Sequence, residues 1–555
     1  MKRIPLSLIV LSVSAVAGAH EMPKFDPQRL SDEVKTLSSD AFEGRGPATE
    51  GETKTVAYVI EQMKAAGLQP GGDLTDGKRA WTQAVPLLRA EIKGEPSLSL
   101  EINGKKQKLT QGNEIAVRAA TEGSTSVNFS DAPLIFTGYG ITAPERKWDD
   151  FKRMDVKGKI IVVLINDPDF ETGKGDFGGK AMTYYGRWTY KYEEAARLGA
   201  LGILIVHETA PASYGWATVK NSNTNTMFDV VRDNPKTVHP QMEAWIQRDL
   251  AVEMFKKAGL DFDAQKKLAQ TRDFKPVELK GITMAAKYDV DSKVITSQNI
   301  VGRIDGSKRP DETVIYSAHW DHLGIGKPDA KGDTIYNGAV DNATGTAALI
   351  EIGRAFASQP KPERSVVFLN VTAEEKGLLG SEYYASKPLY PTGETVAVIN
   401  MDALDPGGLA KNFTTSGSAK SDLLDRLVAD GEKAGMKYVT DPHPEAGSFF
   451  RSDHFSFAKR GVPALSFGSG NDLVVGGIAA GEAEGKKYVT ERYHQPADHW
   501  EASWTFAGMA NDLQLLYKLG DDLANSDTWP NWSEDSEFRA VRDADRAKFT
   551  GAGKQ

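Results

Sequence analysis

Thr313-Val314-Ile315-Tyr316-Ser317-Ala318-His319-Trp320-Asp321-His322 is an apolar run that ends abruptly in two imidazoles and a carboxylate. Such a run, rich in β-branched and aromatic residues and lacking polar alternation, reads as a strand buried on both faces. The construction recurs downstream: the apolar run 366–371 is followed by Glu374 and Glu375, 396–399 by Asp402, and 464–467 is a further run of the same kind. Amphipathic helices fall between them. One spans 345–357, with Ala348, Leu349, Ile352, Ala355 and Phe356 on one face; a last one, 506–519, carries Met509, Leu513, Leu516 and Tyr517 as a core stripe. From Asn299 onward, this alternation predicts an α/β domain with a mixed, largely parallel sheet flanked by helices.

Upstream the texture differs. Within 27–70, Val56, Val59, Ile60 and Met63 follow helical spacing, and Gly67 and Pro70 end the pattern. Between about 96 and 285 short strands dominate, including the alternating Leu98, Leu100 and Ile102 and the runs 134–136 and 160–165, so a separate β-rich module is expected there. Lys2-Arg3, an apolar stretch from Ile4 to about Val16 and Ala17-Gly18-Ala19 read as a secretory signal peptide cleaved after Ala19, which predicts a periplasmic or extracellular bacterial protein. The expected organisation is therefore signal 1–19, N-terminal part 20–95, inserted region 96–285, main domain 286–530 and a polar, solvated tail 531–555.

Composition narrows the chemistry. With 555 residues, 40% hydrophobic and 26% charged, the chain is an ordinary globular one. A net charge of −9 without long basic runs argues against a nucleic-acid partner. No segment after the leader is long and apolar enough for stable membrane insertion. Cysteine is absent, which removes thiolate nucleophiles, disulfides and Cys-ligated metals, so any metal must be held by His and carboxylates.

Ligands of open α/β sheets bind beyond the carboxyl ends of the strands. His319, Asp321 and His322, Glu374 and Glu375, and Asp402 all follow strand ends, while Asp341 directly precedes a helix and His494 lies in Tyr493-His494-Gln495-Pro496. Two carboxylates about 4 Å apart repel by roughly 4 kcal/mol at an effective dielectric of ~20, so this cluster calls for a cation. Imidazole plus carboxylate suits catalytic Zn2+, with Co2+ and Mn2+ also fitting the donor set. Glu374 and Glu375 leave the backbone in different directions, so one can ligate while its neighbour acts as a general base.

Several segments carry a family resemblance: Ser317 to Gly324, Asn337 to Gly345, Thr372 to Ser381, Asn400-Met401-Asp402, Tyr493-His494, and near the start Leu37 to Gly46, with Ser452-Asp453-His454 before Gly461-Val462-Pro463. In this order they resemble the M28 family of zinc peptidases, and Gly138-Tyr139-Gly140, 155–159 and 195–206 resemble an inserted protease-associated domain. The resemblance implies a zinc-peptidase, phosphorylase/hydrolase-like fold and two Zn2+. It implies His319 and Asp402 on one ion, Glu375 and His494 on the other, and Asp341 as the bridge. It further implies Asp321 orienting His319, Glu374 passing a proton from the attacking water to the leaving amine, and Tyr493 donating to the oxyanion. His322, His454 and His499 are left as supporting or substrate-contacting candidates, and Asp453 and Asp498 as loop anchors.

The implied activity is exopeptidase action on peptide substrates, with an aminopeptidase releasing N-terminal residues as the leading reading. A carboxypeptidase, for which Arg451 could hold the terminal carboxylate, and a one-zinc glutaminyl-cyclase-like acyltransferase stay open. So does a binding protein that has lost its metals. Oligomeric state is not legible.

Overall fold

A computed structural model describes residues 22–549 apart from 327, 418–419 and 535. The expected signal peptide lies outside the described residues. Six strands build the sheet that presents the candidate residues: β1 (Thr82–Ile102), β2 (Val277–Ile304), β3 (Arg309–His319), β4 (Arg364–Val371), β5 (Thr395–Met401) and β6 (Ala464–Ser469). The run that opens the sequence argument is the central strand, β3. It pairs in parallel with β4 on one side (Val314↔Val366) and β5 on the other (Val314↔Ala397), and β5 pairs in parallel with β6 (Ile399↔Leu465). The end of β2 closes the other side antiparallel to β4 (Gly302↔Phe368), so the sheet is mixed and largely parallel.

Strand alternation explains why β3 reads as a continuous apolar run. Val314, Tyr316 and Ala318 face a core shared with the helices α1 (Thr344–Ala357) and α2 (Ala507–Ala524), through residues such as Leu349, Ile352, Leu513 and Leu516. Ile315 faces the opposite core with Val367, Leu369, Val398 and Phe457. Both faces are buried, and the strand's buried hydroxyls are paired: Tyr316 donates to the Leu516 carbonyl at 2.8 Å and Ser317 to Asn400 Oδ1 at 2.7 Å. The N-terminal helices Pro27–Leu37 and Glu50–Ala65 add Leu30, Val34, Val59 and Met63 to the same core. The first is capped by the Asp26 carboxylate, which accepts from Gln28 N.

The inserted region contains parallel strands of its own: Ser126–Phe136, Ile160–Leu164, Gly202–His207 and Met242–Gln247, with Ile115–Val117 added antiparallel. Its expected limits, 95/96 and 285/286, fall inside β1 and β2. These two long strands pair antiparallel from Ile282↔Ile102 to Ile300↔Thr82 and carry the chain out of the main sheet and back. Apolar alternation persists along such a ribbon, so periodicity does not mark where one module ends. The 531–555 tail also differs from expectation. Trp532 is buried, and Arg542, on the helix Arg539–Ala547, donates to the carbonyls of Thr392 and Thr395 from a fully buried position. A long polar side chain is buried there because backbone acceptors receive it, which composition does not reveal.

Candidate metal centre

The parallel strands deliver the cluster to one edge of the sheet. His319 ends β3, Asp402 follows β5, and Glu374 and Glu375 sit in a tight turn after β4, entered through Ala373 at φ +53°. Asp341 comes from the loop before α1. That loop turns at Gly338 (φ +56°), where a Cβ would lie 2.2 Å from the Asp341 carbonyl oxygen and 2.5 Å from the His322 ring, so no other residue fits.

Asp341 occupies the middle. Its Oδ1 is 3.3 Å from His319 Nε2 and its Oδ2 is 3.3 Å from His494 Nε2. Each imidazole nitrogen has a second carboxylate beside it: Asp402 Oδ1 is 3.2 Å from His319 Nε2, and Glu375 Oε2 is 3.1 Å from His494 Nε2. The result is two adjoining donor sets sharing one carboxylate. Zinc–ligand bonds of about 2.0–2.1 Å in a tetrahedron place neighbouring donors about 3.3 Å apart, whereas charge-assisted hydrogen bonds are nearer 2.7–2.9 Å. The observed spacings match the former, so the residues present fit a pair of metal ions. Glu374 stands further back, its Oε2 3.9 Å from His319 Nε2. His319 and Asp321 are buried, while the side chains of Asp402 and His494 keep 20% and 26% exposure, so approach is from their side.

Electrostatics follow from burial opposed by charge. Burial pushes Asp341 up, but hydrogen bonding to His319 and His494 outweighs it and holds the carboxyl well below its usual range. Glu375 is likewise held down, its burial outweighed by the nearby imidazoles of His494 and His322. Glu374 goes the other way: burial, with Asp402, Glu375 and Asp453 nearby, raises it well above an ordinary glutamate against the opposing pull of His319. A carboxyl raised in this way is suited to accept and return a proton. His494 is lowered by burial yet raised on balance, to about 10, by Glu375 and Asp341.

The surrounding contacts assign work to residues that sequence reading placed less well. His319 Nδ1 is 3.1 Å from the Asp321 main-chain oxygen, while the Asp321 carboxylate is 3.8 Å away and instead accepts from Glu374 N at 3.0 Å. Asp321 thus fixes the imidazole through its backbone and the Glu374 turn through its side chain. His322 Nδ1 lies 2.6 Å from Glu375 Oε1, against the oxygen that faces away from His494. Asp498 accepts from Val340 N and Asp341 N at 3.1 Å, pinning Asp341. Ser452 donates to Asp402 Oδ2 at 2.6 Å, and Asn342 ties the Asp341 loop to β5 through Met401 O and Ala403 N. Tyr493 stacks on His494 at 3.9 Å and is 40% exposed. His454 is buried against Phe449, and burial lowers it to about 3, so it is a neutral packing residue.

Arg45 was not singled out in the sequence. Fully buried, it donates to four carbonyls: Trp320 (2.8 Å), Leu37 (2.9 Å), Asn337 (2.6 Å) and Gly338 (2.7 Å). Two of these segments carry His319, His322 and Asp341. The available signal was Leu37 to Gly46, whose lone arginine follows a turn with Glu43 and Gly44 at positive φ.

This sheet and its paired donor sets define an α/β domain that presents a His and carboxylate cluster fit to hold metal. Residues 299–517 match the model of peptidase family M28. An aminopeptidase NAALADL1 from Mus musculus is 39% identical over 113 residues, 19% of this chain and 14% of that protein. A probable zinc metalloprotease from Pyrenophora tritici-repentis is 36% identical over 120 residues, 21% of this chain and 27% of that protein. The chain thus aligns with well under half of either relative. The solved aminopeptidase from Aneurinibacillus sp. strain AM-1 superposes with a TM-score of 0.51 at 18% identity, covering 91% of this chain and 95% of that one, a likeness of fold. Among the described residues no helix is long and apolar enough to cross a membrane.

Proposed function

We propose that the protein is an exported exopeptidase with two zinc ions, most simply an aminopeptidase that removes N-terminal residues from short peptides. The observation that carries this reading is Asp341, whose two oxygens each lie 3.3 Å from a different imidazole, each imidazole having its own second carboxylate. When bound, the metal pair supplies Lewis acidity to the attacking water and the scissile carbonyl. His319 with Asp402 and His494 with Glu375 are the residues that would hold it, with Asp341 shared.

The chain's own residues supply the proton chemistry. Glu374, raised by burial and its carboxylate neighbours, takes the proton of the attacking water on a carboxylate oxygen and returns it to the leaving amine. The Glu374 N–H bond to Asp321 holds that turn still. Tyr493, whose ring stacks on that of His494, would donate a hydrogen bond to the developing oxyanion. Surplus carboxylate in the pocket favours a substrate's α-ammonium, which supports the N-terminal direction.

The test is mass spectrometry of matched peptides with free and acetylated N-termini, with and without a chelator. Chelator-sensitive shortening from the free N-terminus alone is expected; trimming of both from the C-terminus would replace the aminopeptidase reading with the carboxypeptidase one. Glu374→Gln should keep its metal and lose about 10²–10⁴-fold in kcat; retained turnover would refute the assigned role.

A further inference from the structure

The three carboxylates that face the imidazoles of His319 and His494 divide their oxygens by one rule. Asp341 offers one oxygen to each donor set. Asp402 turns Oδ1 to His319 and gives Oδ2 to the Ser452 hydroxyl at 2.6 Å, and Ser452 in turn accepts from Asn400 Nδ2 at 2.8 Å. Glu375 turns Oε2 to His494 at 3.1 Å and Oε1 to His322 Nδ1 at 2.6 Å. Each donor set therefore receives one oxygen from its own carboxylate and one from Asp341, while the remaining oxygens of Asp402 and Glu375 are engaged elsewhere.

His322 has a narrow seat. It is 0% exposed, and the Glu375 side chain is 2% exposed. The His322 N–H donates to the Arg45 carbonyl at 3.2 Å, its ring lies against Gly338, where a Cβ would come within 2.5 Å of Cγ, and the His494 ring stands edge-on with 5.8 Å between centres. Among the described residues, neither Nδ1 nor Glu375 Oε1 has a hydrogen-bond partner apart from this contact, and Nε2 has none. The proton is accordingly assigned to Nδ1, the nitrogen with an acceptor in reach. The two carboxylates differ in one respect: the Asp402 side chain keeps 20% exposure, so water can replace Ser452, whereas Oε1 of Glu375 is sealed from water and depends on His322.

A buried carboxylate oxygen that loses its partner is costly until it finds another. Carboxylates bind cations through one oxygen or through both. An unheld Oε1 would turn to the metal ion that Oε2 binds and fill a position that catalytic zinc sites keep open for water or substrate.

We propose that His322 is a positioning residue that withholds the second oxygen of Glu375 from the metal, so that Glu375 ligates through one atom and a position on the His494 side stays open to substrate. This rests on the peptidase reading above.

The variants His322→Leu and His322→Asn test it. The two side chains are nearly the same size, but the Asn amide places an N–H where Nδ1 stands and Leu does not. Full-length protein is saturated with Co2+ and its d–d absorption is read without substrate, because the intensity per cobalt falls as coordination number rises. His322→Leu should keep two ions per chain, absorb less strongly than the wild type and, loaded with zinc, lose at least tenfold in kcat on a peptide with a free N-terminus. His322→Asn should restore the wild-type absorption and most of the rate. Unchanged absorption in His322→Leu, or the same loss in His322→Asn, would overturn the proposal. So would loss of an ion from His322→Leu, which would make His322 a residue that holds the metal rather than one that withholds an oxygen. Where Leu prevents folding, His322→Met serves as the variant without a donor under the same criteria. Absence of hydrolysis by the zinc-loaded wild type, with the spectral difference between Leu and Asn intact, would count against the peptidase reading and not against the hold of His322 on Glu375.

Discussion

Replacing Arg45 separates two roles that a buried cation beside four carboxylates could have. Its four bonds to main-chain carbonyls are short, at 2.6–2.9 Å, and join three segments of the chain. At about 1.5–3 kcal/mol for each bond to a charged group, the gross loss in Arg45→Met is about 6–12 kcal/mol. Relief of the arginine's own desolvation offsets part of this, which leaves a net cost on the order of 3–5 kcal/mol. The charges nearest to it are Asp498, Asp321, Asp341 and Glu375. If its role were purely electrostatic, removing a cation from this neighbourhood would tighten binding of a second cation. Because Arg45 ties down the Trp320 and Gly338 carbonyls that flank three candidate donors, we expect the opposite: zinc affinity 10–100-fold weaker, as found when outer partners of metal ligands are removed. Chelator competition reads the affinity, and amide hydrogen exchange over 320–322 and 337–341 reads loop protection. Arg45→Lys keeps the charge but not the fork, so it should resemble the Met variant. Tighter zinc binding in Arg45→Met, or full rescue by Lys, would refute the positioning argument.

Other expectations follow from single contacts. His494→Ala should reduce bound zinc from two toward one per chain by elemental analysis; unchanged stoichiometry would exclude it as a ligand. Asp498→Asn leaves one acceptor oxygen where Val340 N and Asp341 N both donate, and should weaken zinc binding about tenfold or more without changing the residues that face the metal; wild-type affinity would remove Asp498 from the support of Asp341. In the inserted region, burial lowers His239 but Glu243 and Asp229 outweigh it, raising the imidazole from 6.5 to about 9. The charged form then contributes on the order of 2–3 kcal/mol. That stability is fully present below pH 6.5 and is lost as pH rises through 9. His239→Gln should therefore lower the unfolding midpoint at pH 6 far more than at pH 10, and an equal loss at both would refute the ion-pair account.

The sheet was legible because its central strands are buried on both faces, β4 and β5 along their whole length, and so read as apolar runs. That pattern places 313–317, 366–371, 396–399 and 464–467 within observed strands whose limits differ by a few residues. The candidate donors were legible for a related reason: a carboxylate or imidazole directly after an apolar run must sit at a strand's carboxyl end. What the sequence hid depends on backbone acceptors and on pairing across long separations. Arg45 works through four carbonyls, and carbonyls leave no trace in residue identity. His322 stood in view within His-Trp-Asp-His, but its contact to Glu375 requires knowing that β3 and β4 are neighbours. The stretch 468–488, left open for its glycines, forms the exposed helix Gly477–Glu491, whose lack of buried residues gives no hydrophobic stripe to read.

Charge ties these observations together. Asp341, Glu374, Glu375, Asp402 and Asp321 meet at one end of the sheet, and the protein nearby answers them with three imidazoles, of His319, His322 and His494, and with Arg45. The strand geometry keeps the carboxylates from separating, and burial of Asp321, Asp341 and His319 keeps water from screening them. Metal-free, the cluster compensates by taking protons, which is why His494 is drawn up to about 10 and Glu374 well above an ordinary carboxyl. Bound divalent cations supply that counter-charge without protonating the imidazoles, so the donors that hold the metal are freed for it by the same step that relieves the repulsion. In the proposed mechanism Glu374, set 3.9 Å from His319, is the carboxylate left to exchange a proton. On that proposed reading, the division between holding and reacting rests on where the β4 turn places two adjacent glutamates, a turn that Asp321 holds through its bond to Glu374 N.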